Sequence, residues 1–193
     1  MSVLTRVAAE STLTRWQSGL RRLPLHSPSG ERFHFSRSSV EPSLNVVLVA
    51  PEIPQNTGNI GRLCLAAGAR LHLVEPLGFE LNEKQLRRAG LDYWEKVDIR
   101  TWSSFSELCG HAVTGAKFWF FTTKVKRGYW DVDYARGDYL VFGRETKGLP
   151  ESMLAEHAES CVTIPMQEAA RSINLATSVG IATYEALRKI STG

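Results

Sequence analysis

The sequence has few cysteines and lacks the usual motifs of metal, dinucleotide and hydrolase sites. Cys64, Cys109 and Cys161 lie far apart and show no C-x-x-C spacing, which indicates neither a disulfide framework nor a zinc site. A reducing compartment is the simplest interpretation. No apolar run approaches the roughly 20 residues that span a membrane. The motifs G-x-G-x-x-G, G-x-x-x-x-G-K-[ST], H-E-x-x-H and G-x-S-x-G are missing, so dinucleotide binding, nucleotide hydrolysis, zinc proteolysis and serine hydrolysis lack support. We therefore expect neither a metal nor a membrane partner.

The excess positive charge lies near the amino terminus. Residues 1–43 contain six of the 23 basic residues and three of the 20 acidic ones, which leaves 17 of each sign in the remainder. A net-neutral body is not typical of a protein that binds nucleic acid by charge alone. Any RNA contact therefore requires a local basic patch.

Residues 1–43 differ from the rest of the chain and are interpreted as an extension. They are rich in Ser and Arg, and their apolar positions can line one side of a helix, as in organellar transit segments. A disordered extension or a wrongly assigned start codon explains the same pattern equally well. The expected location is the cytoplasm, or a mitochondrion or chloroplast if the extension is a transit segment.

From Leu44 onward, strand patterns alternate with helix patterns. The predicted strands cover 45–50, 71–75, 97–102, 117–123, 139–143 and 161–165, and the predicted helices cover 56–67, 83–89, 105–109 and 174–189. Asn56 or Thr57 is the predicted N-cap of the first helix, and Gly68 its stop. The pattern predicts an α/β domain over 44–193 with a mostly parallel sheet and helices on both faces. The last helix has no charge from Ser172 to Tyr184, so we expect the core and a second subunit to cover it.

The first of three motifs is Asn56-Thr57-Gly58-Asn59-Ile60-Gly61-Arg62, at the turn from the first strand into its helix. Ligands of open α/β sheets collect beyond the carboxyl ends of strands, and helix N-termini favour phosphate. Arg62 is predicted one turn into the helix, facing the loop, where it can contact a phosphate or a ribose oxygen. Taken alone, the motif fits a helix cap followed by a surface arginine better.

The second motif is Phe142-Gly143-Arg144-Glu145-Thr146-Lys147-Gly148-Leu149-Pro150. Because glycine permits close backbone approach, this loop can present N–H and C=O groups to an adenine edge. A plain strand-to-helix connection is the alternative, with Pro150 in the first helical turn.

The third motif joins Ile164-Pro165-Met166 to Arg171-Ser172-Ile173-Asn174-Leu175-Ala176. Ser172 and Asn174 either cap the last helix or orient a cofactor or an attacking hydroxyl group.

In this order, the three motifs resemble the signature motifs of SPOUT-class RNA methyltransferases. Residues from about Leu44 to Ile190 resemble the TrmL group, which methylates the ribose 2′-oxygen at the tRNA wobble position. Further similar stretches are 51–54, 75–76, 86–93 and 122–124, whereas Gly61 and the extension depart from the pattern. The resemblance implies a C-terminal trefoil knot, S-adenosyl-L-methionine bound in the knot loops, and a homodimer in which the partner completes each site.

The resemblance also implies the site residues. The cofactor pocket would contain Phe121, Thr122, Gly143, Glu145, Gly148, Ile164, Met166, Ser172 and Leu175. The catalytic set would contain Asn56, Arg62, Glu145, Ser172 and Asn174. We interpret Arg62 as a phosphate clamp that also stabilises developing alkoxide charge, because a guanidinium group stays charged in proteins and is a poor base.

The expected function is methylation of a ribose 2′-hydroxyl in tRNA, at the wobble cytidine or modified uridine. No RNA-binding domain is appended, so tRNA is expected to lie across the dimer. The expected contacts are Arg87, Arg88, Lys124, Lys126, Arg127, Arg144 and Arg171, with Tyr129 and Trp130 available for base stacking. The alternatives are 2′-O-methylation at another tRNA or rRNA position, or a non-catalytic RNA-binding or assembly protein on the same fold.

Overall fold

A computed structural model describes residues 41–79 and 94–192. Within these ranges the strands are β1 (Asn45–Val49), β2 (Arg70–Val74), β3 (Ile99–Trp102), β4 (Phe118–Phe121), β5 (Tyr139–Phe142) and β6 (Cys161–Val162). The helices are α1 (Pro54–Ala67), α2 (Phe105–Gly110), α3 (Glu151–Glu156) and α4 (Leu175–Thr192). Short 3-10 turns cover Trp94–Lys96, Tyr129–Asp131 and Ala158–Ser160. The predicted helix 83–89 and nearly all of the extension lie outside the described residues.

The six strands form one parallel sheet in the order β3-β2-β1-β5-β4-β6. Successive side chains of a strand point to opposite faces. In β1, Val46 and Leu48 join the core under α1 and α4, whereas Val47 and Val49 join the core under α2 and α3. The predicted α/β fold, with a parallel sheet and helices on both faces, is therefore confirmed.

The last strand is shorter than the predicted strand at 161–165. Thr163, the third residue of the predicted strand, does not pair with β4. Its backbone pairs instead with Arg127 and Tyr129, at N···O distances of 2.9 Å each. Pro165 has no N–H group to extend the ladder. The strand prediction is therefore wrong beyond Val162, and residues 163–174 are left to form the third motif loop.

The start of α1 also differs from the prediction. The helix begins at Pro54, and Ile53 occupies the N-cap position without a side-chain hydrogen bond. Asn56 and Thr57 are therefore buried residues of the first turn, and neither is the N-cap. Proline suits a first helical turn because its missing N–H group has no intrahelical partner there. The predicted stop at Gly68 is confirmed by its left-handed φ of 63°.

Helix α4, which carries no charge from Leu175 to Tyr184, packs against α1 and is only partly covered by its own chain. Val179, Ala182 and Ala186 are fully buried in the core, whereas Tyr184 keeps 53% of its surface exposed. Cover by the chain's own core is confirmed. Cover by a second subunit stays a prediction.

A buried polar network around His72 is fully satisfied. Trp102 Nε1 donates to His72 Nδ1 at 2.9 Å, which leaves the His72 proton on Nε2, 3.0 Å from Asn45 Oδ1. Burial, with smaller contributions from the charges of Arg70 and Arg100, lowers the pKa of His72 to about 3. His72 is thus a neutral structural residue and a poor candidate for acid–base chemistry.

Candidate active site

The three motif loops line one cavity of about 480 Å³, at the carboxyl ends of β4, β5 and β6. Its lining includes all nine residues predicted for the cofactor pocket: Phe121, Thr122, Gly143, Glu145, Gly148, Ile164, Met166, Ser172 and Leu175. The rings of Phe121 and Phe142 stack with centroids 4.5 Å apart, and both side chains are largely buried. The cavity therefore combines an aromatic surface with a polar loop, at the edge where parallel sheets bind ligands.

The loop after β5 closes on itself. Arg144 and Gly148 exchange two backbone hydrogen bonds, with N···O distances of 3.2 and 2.9 Å. Gly148 has a φ of 67°, in the left-handed region that favours glycine. A Cβ atom at Gly143 would lie only 2.1 Å from the Gly148 carbonyl carbon. The close backbone approach expected at Gly143 is thus present, but it is made to the loop itself.

The Glu145 carboxylate binds the N-terminus of α1. Oε2 accepts from the backbone N–H of Glu52 at 2.8 Å, and Oε1 accepts from the N–H of Ile53 at 3.2 Å and from Asn56 Nδ2 at 3.1 Å. The first N–H groups of a helix lack intrahelical partners and favour negative charge. Glu145 therefore takes the capping role that the sequence prediction gave to Asn56 or Thr57.

An amide relay joins the three motifs. Asn174 Oδ1 accepts from the backbone N–H of Thr177 at 3.2 Å, so Asn174 caps α4. Its Nδ2 then donates to Asn56 Oδ1 at 3.0 Å, and Asn56 Nδ2 donates to Glu145. The cap fixes the orientation of both amide groups. Three of the five predicted catalytic residues are therefore hydrogen-bonded to one another, and the capping role of Asn174 is confirmed.

Ser172 and Arg62 are placed differently from these three residues. Ser172 is exposed and lines the cavity two residues before the helix cap. Arg62 is an exposed residue in the third turn of α1, because the helix begins eight residues earlier, and it is absent from the cavity lining. The predicted position one turn into the helix and facing the loop is wrong. Its catalytic role stays a prediction.

Three of the predicted RNA contacts, Lys124, Arg144 and Arg171, line the cavity. Lys124 also forms an ion pair with the exposed carboxylate of Glu151. Lys126 is exposed outside the cavity lining. The predicted contacts Arg87 and Arg88 lie outside the described residues.

Arg127, another predicted RNA contact, has partners within the chain. Its Nη1 donates to the Glu159 carbonyl at 2.8 Å, and its guanidinium lies 5.3 Å from the centroid of the Trp119 ring. Of the two predicted stacking residues, Tyr129 is half-buried and Trp130 is 49% exposed.

Sequence reasoning missed several cavity residues and one contact. The additional lining residues are Ile53, Thr123, Phe142, Thr146, Lys147, Leu149, Ile173 and Ser178. The missed contact joins the Glu52 carboxylate to Thr146, with O···O and N···O distances of 2.7 and 3.3 Å. Pro54 was the available signal, because a proline at the first helical position places residues 52 and 53 where their N–H groups need outside partners.

In ranges 41–79 and 94–192, no three His, Cys, Asp or Glu side chains are grouped so that they could hold a metal ion. None of the helices described there has the length and apolarity needed to cross a membrane.

The comparisons with known proteins agree with one another. Residues 43–184 match the model of the SpoU rRNA Methylase family. A tRNA (cytidine(34)-2′-O)-methyltransferase of Burkholderia ambifaria is 46% identical over 149 residues, which cover 75% of this chain and 94% of the relative. A tRNA (cytidine(34)-2′-O)-methyltransferase of Saccharophagus degradans is 44% identical over 147 residues, covering 76% and 95% of the two chains.

Solved structures give the same result. One, reported as "Structural insights into the 2-OH methylation of C/U34 on tRNA", is 44% identical with a TM-score of 0.72, and the match covers 78% of this chain and 97% of that one. An AdoMet-bound rRNA methyltransferase from Sinorhizobium meliloti is 28% identical with a TM-score of 0.67, over 77% and 57% of the two chains. The cavity built from three motif loops, the matched residues and the shared fold lead to one conclusion: the chain belongs to the SpoU rRNA Methylase family.

Proposed function

We propose that the protein is a tRNA 2′-O-methyltransferase, which transfers the methyl group of S-adenosyl-L-methionine to the ribose of the wobble nucleotide. The observation that carries the proposal is the meeting of the three motif loops in one cavity, whose lining contains every residue expected to hold the cofactor. Relatives that share 44–46% of their residues with this chain over nearly their whole length are tRNA (cytidine(34)-2′-O)-methyltransferases.

The residues present fit the cofactor. The cavity of about 480 Å³ lies within the usual range of small-molecule sites. Its stacked Phe121 and Phe142 rings and its Leu149 and Ile164 side chains suit an adenine, and the backbone groups of the 143–148 loop suit the polar edge of that base. When bound, S-adenosyl-L-methionine supplies a methyl group activated on a sulfonium.

The side chains of the relay position the loops that meet at this cavity. Glu145 accepts three hydrogen bonds, and Asn56 and Asn174 are held by their own partners, so none of the three needs to reorganise when ligands bind. Ser172, exposed at the cavity, is assigned to the attacking 2′-hydroxyl group. Holding this hydroxyl group in line with the methyl group is the main task of such a site.

The knot and the dimer belong to the proposal. A trefoil knot is supported by the path of the chain, which leaves β6 at the sheet edge and returns as α4 against α1. It is also supported by the cavity that residues 164–175 share with the 143–149 loop. A homodimer is supported by the uncharged stretch of α4 from Leu175 to Tyr184. It is also supported by two exposed apolar side chains, Tyr184 on α4 and Ile53 at the N-cap of α1. In the dimer, Arg62 of one subunit is assigned to the phosphate or ribose bound at the partner's cavity.

The tRNA is assigned to the cavity mouth, where Lys124, Arg144 and Arg171 supply positive charge. Trp130 is the better placed of the two aromatic residues for stacking on a splayed base, because nearly half of its surface is exposed.

The test is methylation of unmodified tRNA by the purified protein with isotope-labelled S-adenosyl-L-methionine, followed by nuclease digestion and mass spectrometry. The expected product carries the label on the ribose 2′-oxygen of nucleotide 34. A methyl group on a base nitrogen or carbon would contradict the reaction type. A label on the ribose of another nucleotide would agree with the proposed 2′-O-methylation but contradict the proposed position of the substrate nucleotide. Cofactor binding by calorimetry, together with no product on any RNA, would favour the non-catalytic alternative.

A further inference from the structure

A second carboxylate, Glu52, connects the segment before α1 to the loop after β5. Its Oε2 accepts from the hydroxyl of Thr146 at 2.7 Å and from the Thr146 backbone N–H at 3.3 Å. In the opposite direction, Glu145 accepts from the backbone N–H of Glu52 at 2.8 Å. The carboxylate of each segment thus accepts hydrogen bonds from the other segment: Glu52 from Thr146, and Glu145 from the backbone of Glu52. The two residues at the turn of the 143–149 loop are both attached to the α1 N-terminus.

The backbone on both sides of Glu52 is tightly constrained. Ala50 has a φ of 52°, in the left-handed region that residues with a Cβ atom avoid. On the other side, the N–H of Gly78 donates to the Pro51 carbonyl at 2.9 Å. A Cβ atom at Gly78 would lie 2.7 Å from the Glu52 Cα atom, so the two backbones touch. Strained backbone persists where the surrounding structure fixes it, often at functional sites.

The Glu52 carboxylate is suited to hold this contact in its ionised form. The hydrogen bond from the Thr146 hydroxyl, helped by the Thr146 N–H group and by the charges of Arg144 and Lys147, holds the pKa of Glu52 below its usual value. Thr146 is exposed and Glu52 half-buried, so neither side chain contributes to the hydrophobic core. The contact therefore constrains the loop without being part of the packing that holds the fold together.

We propose that Glu52 is a positioning residue for the cofactor, which acts by holding Thr146 and thereby keeps the 143–149 loop in its binding conformation. This inference rests on the proposed function, because it takes the cavity to be the S-adenosyl-L-methionine site. A loop that is already ordered does not lose conformational freedom when the ligand binds, so a preorganised site binds more tightly. Loss of the contact should weaken cofactor binding and leave the chemical step largely unchanged once the cofactor is saturating.

The test compares matched variants of the full chain by calorimetry with S-adenosyl-L-methionine. Glu52→Ala and Thr146→Val remove the contact, and each should raise the Kd about fivefold to tenfold, as expected for one net hydrogen bond. Glu52→Gln keeps an acceptor and Thr146→Ser keeps the hydroxyl, so both should bind nearly as well as the parent. The double variant Glu52→Ala/Thr146→Val should be no worse than either single variant, because both remove the same contact. The kcat of Glu52→Ala at saturating cofactor should stay within about twofold of the parent, because Glu52 does not line the cavity.

The outcomes separate the two proposals. If the parent protein itself does not bind S-adenosyl-L-methionine, the proposed function fails. If the parent binds it and the two contact-removing variants bind equally well, only the positioning role fails. Thermal unfolding supplies a second readout: a lowered Tm with an unchanged Kd would assign Glu52 a purely structural role and overturn the inference. Thr146→Val decides the matter if Glu52→Ala does not fold, because Thr146 is exposed.

Discussion

The amide relay makes Asn56 the most informative position to change. Asn56 is buried, and its side chain receives a hydrogen bond from Asn174 and donates one to Glu145. Asn56→Ala removes both contacts. Asn56→Asp has almost the same shape and still accepts from Asn174, but it places a second carboxylate where the donor to Glu145 stood, 3.1 Å from Oε1. We expect stability at neutral pH to fall in the order parent, Asn56→Ala, Asn56→Asp.

The magnitudes follow from the contacts. Two hydrogen bonds at a net value of about 1 kcal/mol each give a loss of about 2 kcal/mol for Asn56→Ala. Asn56→Asp loses only one hydrogen bond but adds repulsion between like charges, which near a protein surface reaches up to about 4 kcal/mol before screening. Because Glu145 is only half-buried, we discount the repulsion and expect a total of about 3 kcal/mol.

Urea denaturation followed by circular dichroism, from pH 5 to pH 8, measures both effects. The introduced carboxyl group beside Glu145 should have a pKa above its usual value of about 4. A group with a raised folded-state pKa favours the folded state when protonated, so the deficit of Asn56→Asp should shrink as the pH falls. The deficit of Asn56→Ala should not depend on pH. An Asn56→Asp protein as stable as the parent at pH 7 would refute the orientation of the relay.

Four further outcomes are expected. Gly143→Ala should abolish cofactor binding in calorimetry and cost about 1–3 kcal/mol of stability, as overpacking does, whereas Gly110→Ala, with open space at its Cβ position, should change neither. Tyr184→Glu should yield a folded, inactive monomer in sedimentation, and an active monomer would contradict the shared site. Removal of Met1–Pro42 should leave cofactor binding intact and weaken tRNA binding at low salt; loss of methylation at every salt concentration would assign the extension to the site. Arg62→Ala should bind cofactor normally and lose about 10²-fold in turnover, and mixing it with Gly143→Ala should restore activity if Arg62 acts across the dimer.

The features that the sequence predicted well are those with local causes. The apolar run at 45–50 is a strand buried on both faces, and such runs need no knowledge of distant residues. Gly68 stops α1 because a left-handed residue is needed at that place. The meeting of the three motif loops was predictable for a related reason: the carboxyl ends of neighbouring parallel strands meet at one edge, so the loops that follow them meet as well. The individual cofactor residues were implied by the resemblance to SPOUT-class methyltransferases.

The features that the sequence did not predict have distant causes. The N-terminus of α1 is capped by Glu145, which is about 90 residues away along the chain. No local sequence pattern predicts such a partner. Strand β6 ends early because Thr163 pairs with the 127–129 segment instead of with β4. Gly143 was expected to approach a ligand, and its missing Cβ atom in fact makes room for Gly148. In each case the residue type indicated a special role, but the sequence did not identify the partner residue.

The helical geometry of α1 bears on the proposed dimer. Residues of a helix advance by about 100° each, so Arg62, six residues after Asn56, lies about 120° around the axis from it and about 9 Å further along. Asn56 faces the relay of its own cavity, and Arg62 is exposed on another side of the helix. A short rotamer change does not carry a side chain across such an angle. If both residues act in catalysis, the simplest arrangement is that α1 serves two sites, with Asn56 ordering the loops of its own subunit and Arg62 reaching the substrate held by the partner. Helix α4, uncharged as far as Tyr184 and partly exposed, packs directly against α1 and is part of the surface proposed for that partner.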